Sequence, residues 1–175
     1  IIENSSDKEL KKELEQNYDK TEVILSKNIG MGAANNIGII ESNTQYVYVL
    51  NPDVILNQET LININSSISR IKNFAILSPV SDNFKFPNYK IKKLDRSLDD
   101  NTIVNVKEID GYSMIINKDY FKDNNYFDEK FFMYLENVDL CLRAQKNSGK
   151  LFVIKNSKIH HLGSKAVDEK YNDEV

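Results

Sequence analysis

Five residues, Tyr46-Val47-Tyr48-Val49-Leu50, constrain the fold of this chain more than any others. The run is rich in β-branched and aromatic side chains, as a buried strand requires. It stops at Asn51-Pro52-Asp53, because proline cannot continue a central hydrogen-bonded ladder. From Glu59 to Lys72, the residues Leu61, Ile64, Ile68 and Ile71 recur at three to four and predict an amphipathic helix. Phe74 to Leu77 follows as another strand, closed by Ser78-Pro79. Upstream, Ile1 to Glu3 and Glu22 to Ser26 read as strands. Between them a helix starts at Ser6, with Glu9 at capping-box spacing, and runs to Asn17 with Leu10 and Leu14 inside. Ala33 to Glu41 reads as a further helix. This βαβα alternation predicts an α/β fold, a three-layer sandwich around a mostly parallel central sheet.

Beyond residue 80 the pattern changes. Residues 81–101 are polar and irregular, and a loop of that length is usually functional or mobile. Ile103 to Val106 and Tyr112 to Ile116 read as strands around Asp110-Gly111. Lys118 to Lys122 reads as a short helix, Leu135 to Lys146 as a longer one, Leu151 to Ile154 as a final strand, and 165–175 as a charged tail. A chain of 175 residues suits one domain with a sizeable core. Because it begins at Ile1, in what reads as a strand already under way, an upstream segment is expected.

A net charge of −3 leaves no basic excess, so nucleic acid is not an expected partner. The single cysteine, Cys141, cannot form an internal disulfide, and its helical spacing with Val138 and Leu142 makes it a core residue. No apolar run reaches the length of a membrane span and no secretory signal is present. A cytoplasmic location is expected, with peripheral contact at the inner membrane face left open.

Three places can carry chemistry. Asp53 follows a buried strand directly, where open α/β sheets place ligands, and a carboxylate there can hold a divalent metal against a diphosphate. The same residues also suit an Asx turn or helix cap. Asn28 to Gly38 is a Gly-rich strand-to-helix turn without dinucleotide-binding spacing or a Walker lysine. In Phe127 to Arg143, FDEKFFMYLENVDLCLR, Glu136 and Asp139 sit beside an apolar run, an environment that suits a proton-accepting carboxylate. Asp139 and Arg143 also suit a plain i, i+4 ion pair.

Taken in order, these segments resemble the inverting family-2 glycosyltransferases, whose pattern reads roughly FDE-x-FFxYxED-x-DLxxR. The rhamnosyltransferase-like branch, which builds bacterial surface polysaccharides, is the most similar. The match runs from Glu3 to Ser164. It implies a GT-A fold apparently lacking its first strand, with a nucleotide-binding half at about 1–80 and an acceptor half at about 81–164. It implies transfer of a sugar from a nucleoside diphosphate sugar to a saccharide or lipid-linked saccharide, with Mn2+ or Mg2+. Glu3, Asn4 and Ser6 match a strand-end segment that contacts the nucleoside. Asn28, Gly30 and Asn36 match residues that line the nucleotide sugar. Asp53 matches the metal-binding acidic motif, and His161, with His160 as fallback, matches an H-x-G histidine that can join the metal. Asp110 and Gly111 match a point of close approach to the sugar. Asn137 matches the aspartate that is usually the general base. The resemblance therefore shifts that role to Glu136, desolvated by Phe131, Phe132 and Tyr134, or to Asp139. If neither serves, the domain is a non-catalytic nucleotide-sugar binder. A nucleotidyltransferase would need a Gly-rich triphosphate loop with basic residues, which the sequence lacks.

Overall fold

The computed structural model describes residues 1–71, 73–91 and 102–163. The expected end of the helix at Lys72, the second half of the 81–101 loop and the charged tail lie outside the described residues. In chain order the elements are β1 (Ile2–Glu3), α1 (Lys8–Asn17), β2 (Ile24–Leu25), α2 (Met31–Glu41), β3 (Tyr46–Leu50), β4 (Val54–Leu56), α3 (Thr60–Arg70), β5 (Phe74–Ser81), β6 (Tyr89–Ile91), β7 (Ile103–Ile109), β8 (Ser113–Asn117), α4 (Glu136–Lys146) and β9 (Lys150–His161). Two short 3-10 turns, Lys118–Tyr120 and Lys122–Asn124, replace the single short helix expected there.

The strands form a seven-stranded sheet in the order β3-β8-β5-β9-β7-β6, with β4 on the far end of β9, and a separate β1-β2 pair. Alternation across the pleat builds the layers. Ile76, Ile116, Leu151 and Val153 face one core with Ile39 of α2 and Leu140 and Ala144 of α4. Their chain neighbours Leu77, Ile115, Phe152 and Ile154 face the other core with Ile64 of α3. The result is the expected α/β sandwich, helices on both sides of one sheet. Cys141 lies in the first core, where burial pushes its thiol up to about 12.

The sheet is not mostly parallel. Within it only β5 and β9 run parallel, while β8 lies antiparallel between β3 and β5, and β7, β6 and β4 add antiparallel pairs. The alternating pattern that suggested parallel strands ends at β5, and β7 and β8 arrive from the other direction.

Two strands outrun their apolar runs. β5 does not close at Ser78-Pro79 but continues to Ser81, with a register shift at Pro79/Val80. The buried Asn88 amide donates to the Pro79 carbonyl at 2.6 Å and to Ser78 Oγ at 2.9 Å, and its carbonyl accepts from the Ser81 N–H at 2.9 Å. These bonds carry the strand past the proline, a bulge of the kind proline allows. β9 continues seven residues beyond Ile154 to His161. The buried set Ser157, Ile159 and His161 keeps the strand period where the polar spelling hides it.

Candidate active site

The turn between β7 and β8 organises the site, because its three residues reach three different elements. Asp110 Oδ1 accepts from Asn137 Nδ2 of α4 at 3.3 Å. Gly111 lies against both α2 and α4. A side chain placed there would start 2.9 Å from Met31 Cε, 3.4 Å from Asn137 Cβ and 3.8 Å from Glu136 Oε1. The absence of a side chain at Gly111 lets the turn pack closely on both helices. Tyr112 stacks on His161 of β9, with ring centroids 3.9 Å apart and planes within 5°. Burial pushes the Tyr112 phenol up to about 12, and its hydroxyl donates to the Phe86 carbonyl at 2.7 Å.

Beyond Tyr112 lies the first corner. Antiparallel register places Val54 opposite His161, so the end of β9 returns to the Asn51-Pro52-Asp53 turn. His161 Nε2 is 3.1 Å from Asp53 Oδ2, and the Leu162 N–H donates to the Asp53 carbonyl at 3.0 Å. Phe86 covers the imidazole edge-on at 5.2 Å. Asp53 Oδ1 and His161 Nδ1 are both buried without a hydrogen-bond partner. Two ligands on one ion, each at about 2.1 Å and at right angles, lie about 3 Å apart. The Asp53–His161 spacing and the orphaned Asp53 oxygen therefore fit a divalent cation. Among the described residues no third His, Cys, Asp or Glu joins them, so substrate oxygens and water would complete the shell. His160 is elsewhere, paired at 2.7 Å with Asp82 on the exposed face.

The second corner is the start of α4. Glu136 is 3% exposed, and its Oε2 is buried without a partner. The aromatic run before it does not cover it, since Phe132, Met133, Tyr134 and Leu135 are all more than half exposed. Gly32 and Gly111 lie against it instead. A side chain at Gly32 would start 3.1 Å from Phe127 Cβ and 3.5 Å from Glu136 Cβ. The helix begins at Glu136 rather than Leu135, because Tyr134 and Leu135 both hold left-handed backbone, with φ of 68° and 70°. Consecutive non-glycine residues in that region are strained, and such strain concentrates at functional sites. Asn137 Nδ2 also donates to the Ile109 carbonyl at 3.1 Å.

Asp139 faces away from this cluster into a clasp. Its Oδ2 accepts from Arg143 Nε at 2.7 Å, and Arg143 also donates to the carbonyls of Asn125 and Tyr126. The sequence's ion pair is formed, and it fastens the loop before Phe127 to α4.

The other sequence candidates lie around the Gly-rich turn. Glu3 Oε1 accepts from the Ser5 hydroxyl and N–H, and Oε2 from the Asp7 N–H. The Ser5 hydroxyl and these N–H groups hold its carboxyl below the usual range. Asn4 reaches Asn28 Oδ1 at 3.5 Å and the Gly30 carbonyl at 3.4 Å, and accepts from the Ile29 N–H at 3.3 Å. Ser6 does not cap α1. It has φ 65° and donates to the Ser26 carbonyl, while Asp7 caps the helix by accepting from the N–H groups of Glu9 and Leu10. Leu10 is exposed and α1 buries no side chain, so the expected inner face is weak. Gly30 has φ 88°, and a side chain there would meet the Phe132 carbonyl at 2.5 Å. Asn36 is buried and holds the Phe127 backbone at both ends, donating to its carbonyl and accepting from its N–H, each at 2.9 Å. An open groove of about 690 Å³ beside Asn36 and Phe127–Lys130 touches none of Asp53, Asp110, Glu136 or His161. Tyr112, Met31 and Phe86 are site residues that sequence reasoning did not single out; for Tyr112, an aromatic directly after Asp110-Gly111 was the available signal.

Comparison with known proteins follows the same lines. No family model matches the chain. It is 29% identical over 166 residues to a low-salt glycan biosynthesis hexosyltransferase of Haloferax volcanii, covering 85% of this chain and 53% of the relative. It is 25% identical over 172 residues to the rhamnosyltransferase WbbL of Escherichia coli K12, covering 82% of this chain and 64% of the relative. The chain thus spans between half and two thirds of the length of these relatives. In structure it resembles GalNAc-T7, solved with UDP, GalNAc and Mn2+, at a TM-score of 0.75 and 16% identity, covering 91% of this chain and 36% of that one. It also resembles residues 1–349 of Staphylococcus aureus TarS, at a TM-score of 0.64 and 17% identity, covering 91% and 49%. Related transferases in sequence and the shared architecture in structure agree: the chain has the GT-A fold and is similar to family-2 glycosyltransferases.

Proposed function

We propose that this chain carries the catalytic domain of a hexosyltransferase, moving a sugar from a nucleoside diphosphate to an acceptor hydroxyl in glycan or polysaccharide synthesis. The observation that carries the reading is the Asp53–His161 corner, joined through Asp110-Gly111-Tyr112 to a buried carboxylate at Glu136. Both relatives are named as sugar transferases, which supports the reaction class, and WbbL is named as a rhamnosyltransferase.

In this reading the donor's diphosphate lies at the first corner, and Asp53 and His161 would hold Mn2+ or Mg2+ there. Such an ion, when bound, offsets the charge that develops on the leaving diphosphate. Tyr112 and Phe86 fix the imidazole plane and keep water off its faces. Gly30, with Asn4 and Asn28 tied behind it, gives the donor a rigid backbone wall. Glu3 and Ser6 shape the turn that closes the nucleoside side. Gly111 holds the β7–β8 turn against α2 and α4, which sets where Asp110 meets the sugar. A carboxylate at this wall takes the proton of the acceptor hydroxyl, and the acceptor attacks the anomeric carbon opposite the leaving group, which inverts it. Glu136 and Asp139 are the sequence's candidates for that role. In this reading the domain acts in the cytoplasm on a saccharide or lipid-linked saccharide. Among the described residues no helix is long and apolar enough to cross a membrane.

The amide at Asn137, where the family usually has its base, favours a second reading as a nucleotide-sugar-binding domain without turnover. Nucleoside diphosphate release from a panel of UDP-, dTDP- and GDP-hexoses, with and without Mn2+, separates the two. Metal-dependent release supports the transferase. Metal-dependent UDP binding with no release from any donor supports the binding domain.

A further inference from the structure

We propose that Asp110 is the carboxylate that takes the proton from the acceptor hydroxyl, with Asn137 as its positioning residue. This deepens the transferase reading and rests on it. An amide at position 137 cannot accept a proton, yet a carboxylate lies one hydrogen bond from it. Asn137 Nδ2 donates to Asp110 Oδ1 at 3.3 Å and to the Ile109 carbonyl at 3.1 Å, so the amide grips the turn that carries Asp110 from two sides. The base has moved from the helix to the facing turn, and the old position now orients the new one.

Accessibility separates the three carboxylates of the second corner. Glu136 is 3% exposed and its Oε2 lies beneath the surface, so a hydroxyl on a saccharide does not reach it. Asp139 is engaged by Arg143 at 2.7 Å. Asp110 is partly exposed, and among the described residues no hydrogen bond engages its Oδ2. Its backbone is fixed, since its N–H donates at 2.9 Å to the carbonyl of the fully buried Asn88. Gly111 beside it packs against Met31 and Asn137, which fixes the turn against α2 and α4. The amide at 137 also matters for charge. Two carboxylates 3.3 Å apart would disfavour each other's ionised form, whereas an amide donor favours an ionised Asp110. Burial, and then the nearby Glu108, push the Asp110 carboxyl above its ordinary value, which makes it a better proton acceptor.

The step balances. Asp110 Oδ2 accepts the hydroxyl proton as the acceptor oxygen bonds to the anomeric carbon. The bond from that carbon to the diphosphate oxygen breaks, and its electron pair leaves with the diphosphate. The proton then passes from Asp110 to water.

The test measures nucleoside diphosphate release by the full chain from UDP-, dTDP- and GDP-hexoses with Mn2+ and octyl glycosides as acceptors. UDP binding by calorimetry and the unfolding midpoint are measured on the same proteins. Asp110→Asn, which keeps the shape, is expected to lower kcat by about 10²-fold or more while donor KM, UDP binding and the midpoint stay near wild type. The double variant Asp110→Asn with Asn137→Asp returns the carboxylate to the helix and is expected to recover at least about tenfold of that loss, a rescue that a merely structural role does not predict. Asp110→Asn with wild-type kcat, or losing UDP binding in step with kcat, overturns the assignment, as does a double variant no better than the single. A wild type that binds UDP but releases nothing overturns the transferase reading itself, and this proposal with it.

Discussion

Asn36 and Asp53 both match motif positions of similar transferases, and the structure uses them in opposite ways. Asn36 has both ends of its amide on the Phe127 backbone, with a further bond from Nδ2 to Glu129. Glu3 is alike, both oxygens accepting from its own turn. Asp53 and His161 instead each hold a buried polar atom with no protein partner. A buried group left in that state costs about 1–3 kcal/mol, so a fold retains it only where something else rewards it. Motif polar residues therefore divide into those that build the scaffold and those whose bonding capacity is kept for a ligand. Type and spacing do not tell them apart; the hydrogen-bond inventory does.

That division breaks first at Asp53. Asp53→Ala and His161→Ala are expected to lower Mn2+-dependent nucleoside diphosphate release by about 10²- to 10³-fold, the scale for losing one electrostatic contact to a developing charge. The urea midpoint of Asp53→Ala should stay near wild type, because its Oδ1 is buried without a partner, whereas His161→Ala also removes a ring stacked on Tyr112 and should lower it. A large loss of stability in Asp53→Ala would put Asp53 among the scaffold residues.

Asn36→Leu tests the other side. It strands the Phe127 N–H and carbonyl in the interior, and the expected cost is about 2–4 kcal/mol in urea unfolding. UDP binding by the fraction that remains folded should be unchanged. Loss of UDP affinity at unchanged stability would show Asn36 to be a ligand contact. Gly30→Ala should cost somewhat less, about 1–3 kcal/mol, because φ 88° is unfavourable for alanine and the new methyl meets the Phe132 carbonyl. That cost appears as a lower thermal midpoint.

Much of the fold is legible in the sequence, and the gaps have physical causes. β3 is found at its full length, since YVYVL is both apolar and β-branched. Strand direction is not legible, because an apolar run reads the same for parallel and antiparallel pairing. β4 and β6 are missed, each only three residues long and partly exposed. The continuation of β9 to His161 is hidden by Lys155, Asn156 and Lys158, although every second residue from Ser157 is buried. In the site, the motif resemblance named Asp53, His161, Asp110 and Glu136, and the structure brings the first two into contact and the last two to either side of Gly111. The expected shielding of Glu136 by Phe131, Phe132 and Tyr134 fails because two left-handed residues turn that run outward before the helix starts.

Glu3→Gln is the mildest break and the sharpest check on the scaffold class. The substitution keeps the shape and removes the charge that accepts from Ser5 and Asp7. Those donors favour the carboxylate, so the folded state holds the proton less readily than the unfolded chain. The sign follows: the stabilisation is fully present above the unfolded-state value of an ordinary glutamate. It is lost as pH falls through the lower folded-state value. The wild-type urea midpoint should therefore exceed that of Glu3→Gln at neutral pH, and the gap should narrow on acidification below the ordinary glutamate range. Because the carboxylate already accepts bonds from its own turn, UDP affinity should be the same in both proteins. A gap that is flat with pH while UDP affinity drops would move Glu3 across the divide, from the scaffold to the residues that meet the nucleoside.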